Sequence, residues 1–170
     1  RSYKWIFITR TKKTEVLLNI DTKNHYKSFK TTKVEIKTDL YNTVINKKLS
    51  ADILNRQLEF IQRFLGTYPH KKLFIDEASQ AKNPIYGLNQ LPKFIRPFPD
   101  VFEWDLTMLK AMSKKYIDNT LLLDKREDYW LTDGLQTYLM MNYVSEYYPE
   151  IKLTGNISKI WGLKNFNFSK

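Results

Sequence analysis

Two helical patterns follow one another between Pro99 and Tyr147, joined by a short polar link, and any fold of this chain must bury the apolar stripes of both. Asp100 and Glu103 have the spacing of a capping box, which starts the first helix at Val101 and carries it to about Ile117. Phe102, Leu106, Leu109, Ser113 and Tyr116 recur at helical spacing as an inner stripe, with Met112 beside them. Lys110 and Lys114, four residues apart, share a flank of this helix. After Leu121, Leu122 and Leu123 comes the charged run from Asp124 to Asp128. Thr132 or Asp133 is placed to cap the second helix, whose apolar face uses Leu135, Tyr138, Leu139 and Val144 before Pro149 ends it.

Upstream, the pattern changes. From Tyr3 to about Leu40 the apolar residues fall as in strands: Trp5 to Ile8, Glu15 to Ile20, and Lys33 to Lys37, the last alternating polar and apolar. Ser50 reads as the N-cap of a helix running to Leu65, with Leu49 as the staple residue just outside it. Ile53, Leu54, Leu58, Ile61 and Leu65 share one face of that helix, and Gly66 stands where a left-handed cap is wanted. Leu73, Phe74 and Ile75 form a short strand ending at Asp76 and Glu77. Residues 78–99, punctuated by Pro84, Gly87, Pro92, Pro97 and Pro99, make a long connection of the kind that is usually functional. Asn156 opens a last short helix through Trp161. The class is therefore α+β, mainly strands over 1–45 and mainly helices over 46–170, in one domain spanning 1–170.

Composition narrows the chemistry more than the fold. At 170 residues the chain can bury a real core, since a domain of about 150 residues removes roughly 68–70% of its unfolded surface from water. Hydrophobic residues are 42% and aromatics 15%, with a mean hydropathy of −0.50, which reads as a folded, soluble protein. No window is apolar for long enough to span a membrane. The first residue, Arg1, follows no initiator Met or leader, which suggests a piece of a larger protein. There is no Cys, and His25 and His70 are the only imidazoles, so neither thiolate nor ordinary His-based metal clusters can be assembled.

The net charge of +10 raises the question of nucleic acid, because clustered Lys and Arg neutralise phosphates. Only six of the 28 basic residues are Arg, the side chain suited to bidentate phosphate and base recognition. Lys, Asn, Ile and Tyr are abundant throughout, a bacterial-type compositional bias. No specific nucleic-acid partner is expected.

Several pieces, in order between Ser50 and Pro149, resemble the zinc aminopeptidases of the thermolysin-like gluzincin class, of the membrane-alanyl-aminopeptidase type. In that family a helix ends at a Gly followed by Tyr-Pro and a strand, as Gly66, Thr67, Tyr68, Pro69 and Leu73 do here. A loop then presents a Gly-Leu element, which Tyr86-Gly87-Leu88 resembles. The family's ligand helix carries H-E-x-x-H, and Lys110-Ala111-Met112-Ser113-Lys114 stands in its place. Its W-L-x-E-G turn is similar to Trp130-Leu131-Thr132-Asp133-Gly134. The family's second His and ligand Glu stand as far apart as Lys114 and Asp133, with the eighteen residues 115–132 between them.

What the resemblance implies is a peptidase-like scaffold with a degenerate ligand-helix pair. Lys110, Lys114 and Asp133 occupy the three metal-ligand positions, and a protonated ammonium offers zinc no lone pair. Ala111 occupies the general-base position and cannot accept a proton from a metal-bound water. No carboxylate stands near Gly87 to hold a substrate's amino terminus. The expectation is a non-catalytic, pseudoenzyme-like module with no cofactor and no metal, serving a structural or peptide- or protein-binding role. Its partners would be a peptide, another protein or other domains of the parent chain, met at a groove beside Tyr86, Gly87, Leu88 and Trp130. Two expectations compete for Asp133: an ion pair with Lys110 or Lys114 replacing the metal, or a helix cap.

Two other functional classes are open to this sequence. One is a metal-independent hydrolase using Asp76, Glu77, Glu103 or Asp105, since paired carboxylates can share acid and base roles; helix capping and strand ends account for these residues more simply. The other is a basic module that binds nucleic acid or an anionic surface, with the steep salt dependence such binding shows.

Overall fold

The computed structural model describes residues 25–31, 33–85, 88, 98–121, 123 and 127–151. Their order is β1 (Lys27–Lys30), β2 (Glu35–Thr38), α1 (Lys47–Leu65), β3 (Lys72–Ile75), α2 (Glu77–Ala81), α3 (Asp100–Thr120) and α4 (Tyr129–Tyr147). The class is α+β, as the sequence implied. The strands read from Trp5 and Glu15, the helix read from Asn156, and Tyr86 and Gly87 lie outside the described residues.

The three strands form one mixed sheet in the order β1-β2-β3. β1 and β2 pair antiparallel, with Phe29 opposite Ile36. Thr31 shapes their connection: its hydroxyl accepts from the Val34 amide at 3.0 Å and donates to the Val34 carbonyl at 2.8 Å. β2 and β3 pair parallel, with Ile36 opposite Leu73 and Thr38 opposite Ile75. A parallel pair cannot be closed by a tight turn, and α1 supplies the crossover. Alternation along each strand sends Phe29, Ile36, Thr38, Leu73 and Ile75 to one face, all buried.

The helices cover that face. α1 packs on β1 and α3, while α3 also packs on β3, α2 and α4. In α1, Ile53, Leu54, Leu58 and Ile61 are buried as the spacing required, and Leu65 is partly so. In α3 the whole expected stripe, Phe102, Leu106, Leu109, Met112, Ser113 and Tyr116, is buried. At roughly 1.5–3 kcal/mol for each large apolar side chain fully removed from water, these two stripes contribute much of the driving force for collapse.

The helix starts depart from the expectations. α1 is capped by Asn46, whose side chain accepts from the Leu49 amide at 2.8 Å, and Ser50 lies one turn inside with its hydroxyl on the Asn46 carbonyl. Asn caps as well as Ser, and the earlier start gains a further turn of hydrogen bonds. Leu49 is accordingly an exposed helical residue and not an external staple. α3 begins at Asp100 with Pro99 as N-cap, whose carbonyl accepts from the Glu103 amide at 3.1 Å; no side chain caps this end. Asp100 is thus the first helical residue, which suits a carboxylate near the positive end of the macrodipole.

α4 starts four residues before the expected caps. The Asp128 carbonyl accepts from the Leu131 and Thr132 amides, so Thr132 and Asp133 lie within the helix. Its buried residues are Gln136, Leu139, Tyr143 and Val144, while Tyr138 is 54% exposed and Leu135 is half-buried. The buried face therefore keeps Leu139 and Val144 of the stripe that hydrophobicity selected, but Gln136 and Tyr143 take the places expected of Leu135 and Tyr138. At the other end of α1, Gly66 takes φ +83° as anticipated, and its amide donates to the Gln62 carbonyl at 3.0 Å.

Candidate functional site: the crossing of α3 and α4

Lys110 and Lys114 lie on α3 one turn apart, both half-buried, and α4 crosses them. The crossing is fixed by Gln136, whose amide nitrogen donates to the Lys110 carbonyl at 2.9 Å and to the Ser113 hydroxyl at 3.3 Å. Asp133 stands one turn before Gln136 on the same side of α4. Its charge acts on Lys110, as does that of Lys114. Burial holds the Lys110 ammonium below the usual lysine range; Asp133 pulls the other way without restoring it, and Lys114 adds to the depression. The fold thus gathers Lys110, Lys114 and Asp133 into one electrostatic neighbourhood.

They do not form the ion pair considered for Asp133. The Lys110 ammonium donates to the Pro84 carbonyl at 3.0 Å, tying α3 to the connection that follows α2. Lys114 pairs with Asp118 one turn along its own helix, at 3.5 Å. Among the described residues no ion pair joins Asp133 to either lysine. A local partner at i+4 and a nearby carbonyl require less ordering than a bridge across two helices, which is the physical reason that each lysine is engaged elsewhere. The alternative expectation for Asp133 is corrected too, since a residue in the second turn of α4 is no N-cap.

The zinc that the resemblance would imply does not fit these side chains. Lys110 is held as a hydrogen-bond donor to Pro84, and Ala111 is half-buried against the core with no group to accept a proton. Among the described residues, no group of three or more His, Asp or Glu side chains is gathered so as to hold a metal ion.

Of the residues read as a groove, Leu88 is buried, with its amide donating to the Ile85 carbonyl at 3.3 Å, whereas Trp130 is 70% exposed at the start of α4. Trp130 lies one turn before Asp133, so the exposed indole and the lysine-rich neighbourhood flank the same end of the helix pair.

The acidic residues considered for catalysis are distributed differently from the simple capping account. Asp76 does cap α2: its carboxylate accepts from the Ser79 amide at 2.7 Å and pairs with Lys115 at 3.0 Å. Glu77 is exposed in the first turn of α2, its amide donating to the Asp39 carboxylate at 2.7 Å. Asp105 is neither cap nor strand end. It is fully buried in the second turn of α3, where Arg56 of α1 pairs with it at 2.5 Å and the Tyr143 hydroxyl donates to it at 2.8 Å. The Tyr148 hydroxyl and the Gln57 amide also donate to it. Burial and the neighbouring Asp105 raise the Tyr143 hydroxyl far above its ordinary value, and Tyr148 is shifted the same way. Those donors neutralise and saturate one carboxylate, an arrangement that locks three segments together. Glu103, two residues earlier in α3, is likewise buried.

Sequence reasoning missed Arg56, Gln136 and Tyr143. The available signal was a polar or amphipathic residue interrupting an apolar stripe at i, i+3 and i+7, as Gln136, Leu139 and Tyr143 do. No family model, curated protein or solved structure matches the chain, so its fold class rests on the structure and the peptidase resemblance on the residues quoted for it.

Proposed function

We propose that this chain is a non-catalytic, peptidase-like domain acting as a structural or peptide- and protein-interaction module. One observation carries the reading. The α3 and α4 positions that correspond to a gluzincin's ligands lie together, yet the groups there are two ammoniums and one carboxylate, with Ala111 between the lysines. The Lys110 ammonium is engaged by the Pro84 carbonyl, so a cation in the middle of α3 ties the helix pair to the connection between α2 and α3. From α1 onward, the order helix, strand, connection and helix pair also follows the order of the resembling pieces. In this reading Trp130 is the exposed anchor for a peptide or for a neighbouring domain of a larger protein, since large aromatic rings supply binding energy at little conformational cost.

The test is metal content and aminopeptidase turnover on purified protein, before and after chelation. The expected result is no stoichiometric zinc and no chelator-sensitive turnover. Stoichiometric zinc, with turnover abolished by chelation, would overturn the proposal.

A further inference from the structure

The outer face of the sheet is built unlike an ordinary solvated face. Alternation directs Ser28 and Lys30 of β1, Glu35 and Lys37 of β2, and Lys72 and Phe74 of β3 away from the core. The register sets them in two rows across the strands: Lys30, Glu35, Lys72 and, beside it, Ser28, Lys37, Phe74. Lys33 and Lys71 are exposed just beyond the first row. Three ammoniums, those of Lys30, Lys37 and Lys72, thus act on one carboxylate, and Glu35 is already engaged: the Ser28 hydroxyl donates to it at 2.6 Å, and Lys37 and Lys72 stand 3.8 and 4.0 Å away.

Phe74 is the second observation. It is 49% exposed on the outer face of an edge strand among the described ones, while its neighbours Leu73 and Ile75 are fully buried. Tyr26 meets its ring edge-on, with centroids 6.3 Å apart, and the Lys37 ammonium lies 5.8 Å from its centroid. An aromatic ring held upright on a rigid sheet, with an excess of cations around it, is the arrangement that single-stranded nucleic acid uses: a base stacks on the ring while lysines follow the phosphates.

We infer that this sheet face is a binding platform for single-stranded nucleic acid, with Phe74 as the stacking ring and Lys30, Lys37 and Lys72 as phosphate contacts. Charge complementarity and the exposed ring together select this occupant. A duplex hides the faces of its bases from a stacking ring, and an acidic peptide gains from the lysines but has no planar base for Phe74. Among the described residues no arginine lies on this face, so base edges are not read bidentately there and binding is expected to be independent of sequence. The platform is on the sheet's outer surface, remote in the fold from the α3–α4 crossing, and it stands or falls apart from the peptidase reading.

The experiment is fluorescence anisotropy with the purified chain and labelled oligo-dT of about twelve nucleotides, beside a duplex of equal length and poly-glutamate. Single strands should bind best. With about three phosphates neutralised, affinity should fall roughly 20-fold between about 50 and 200 mM salt. Phe74→Ala should weaken binding about tenfold or more with the salt slope unchanged, whereas Phe74→Trp should retain it. Lys37→Ala should flatten the slope. Circular dichroism of each variant shows that the fold is intact, which is expected because these side chains face solvent. Absence of oligo-dT binding, equal binding of the duplex or of poly-glutamate, or an unaltered affinity in Phe74→Ala would each overturn the inference. None of these outcomes bears on zinc content or peptidase turnover.

Discussion

Asp105 shows how much one residue can determine in this molecule. Its carboxylate is removed from water, and Arg56, Gln57, Tyr143 and Tyr148 converge on it from α1, α4 and the segment just after α4. Breaking a buried pair by removing one partner leaves the other charge uncompensated. Asp105→Ala should therefore destabilise the fold by about 3–5 kcal/mol, measured by urea denaturation. A change within about 0.5 kcal/mol, the range of ordinary surface substitutions, would show that the network is not a structural clamp. Asp76 offers a milder, pH-dependent case. Burial opposes its ionisation, but hydrogen bonds from Ser79 and the Lys115 ammonium outweigh burial and hold its carboxyl below the ordinary value. A depressed carboxyl stabilises the fold above its unfolded pKa, about 3.9, and that contribution is lost as the pH falls through the folded value. Asn keeps the capping oxygen but not the charge. The stability difference between wild type and Asp76→Asn should thus be about 1 kcal/mol near neutral pH and should vanish in acid, as followed by denaturation at a series of pH values.

Among the elements, two glycines make opposite predictions from the same empty surroundings. A Cβ built on Gly66 or Gly134 meets nothing within 4 Å. Gly66 nevertheless has φ +83° and ψ −176°, a region open essentially to glycine alone, so Gly66→Ala should cost about 1–3 kcal/mol through the backbone. Gly134 lies inside α4, where Gly134→Ala should stabilise by about 0.5–1 kcal/mol. Thermal midpoints moving in opposite directions would be the expected result. The same helices show what the sequence makes legible. The α1 and α3 stripes were readable because apolar residues recur at helical spacing, and the Gly66 cap was readable because its backbone suits no other residue. Helix starts were not, because Asn46, Ser50, Asp128 and Asp133 are all competent caps and only tertiary packing chooses among them. Gln136 was hidden for a related reason: hydrophobicity favours Tyr138, but the crossing with α3 needs a donor for the Lys110 carbonyl. The Asp105 clamp was illegible because its partners are far apart along the chain and share no local pattern.

At the scale of the whole molecule, the sheet, the α1–α3 layer and α4 stack in that order, and the two proposed functions occupy opposite sides of the stack. No helix among the described residues is long and apolar enough to cross a membrane. The parallel pairing of β2 with β3 also has a kinetic consequence. β1 and β2 can zip as a hairpin at once, but β3 cannot take its place beside β2 until the chain has passed through α1. Until then the other edge of β2 has no strand beside it, and Phe29, Val34 and Ile36 present an uncovered apolar face. Pulse-labelled hydrogen exchange during refolding should accordingly find α1 amides protected before those of Lys72–Ile75. While a nascent chain still lacks β3, the open edge of β2 is where it would recruit the wrong partner, including the β2 edge of a second chain.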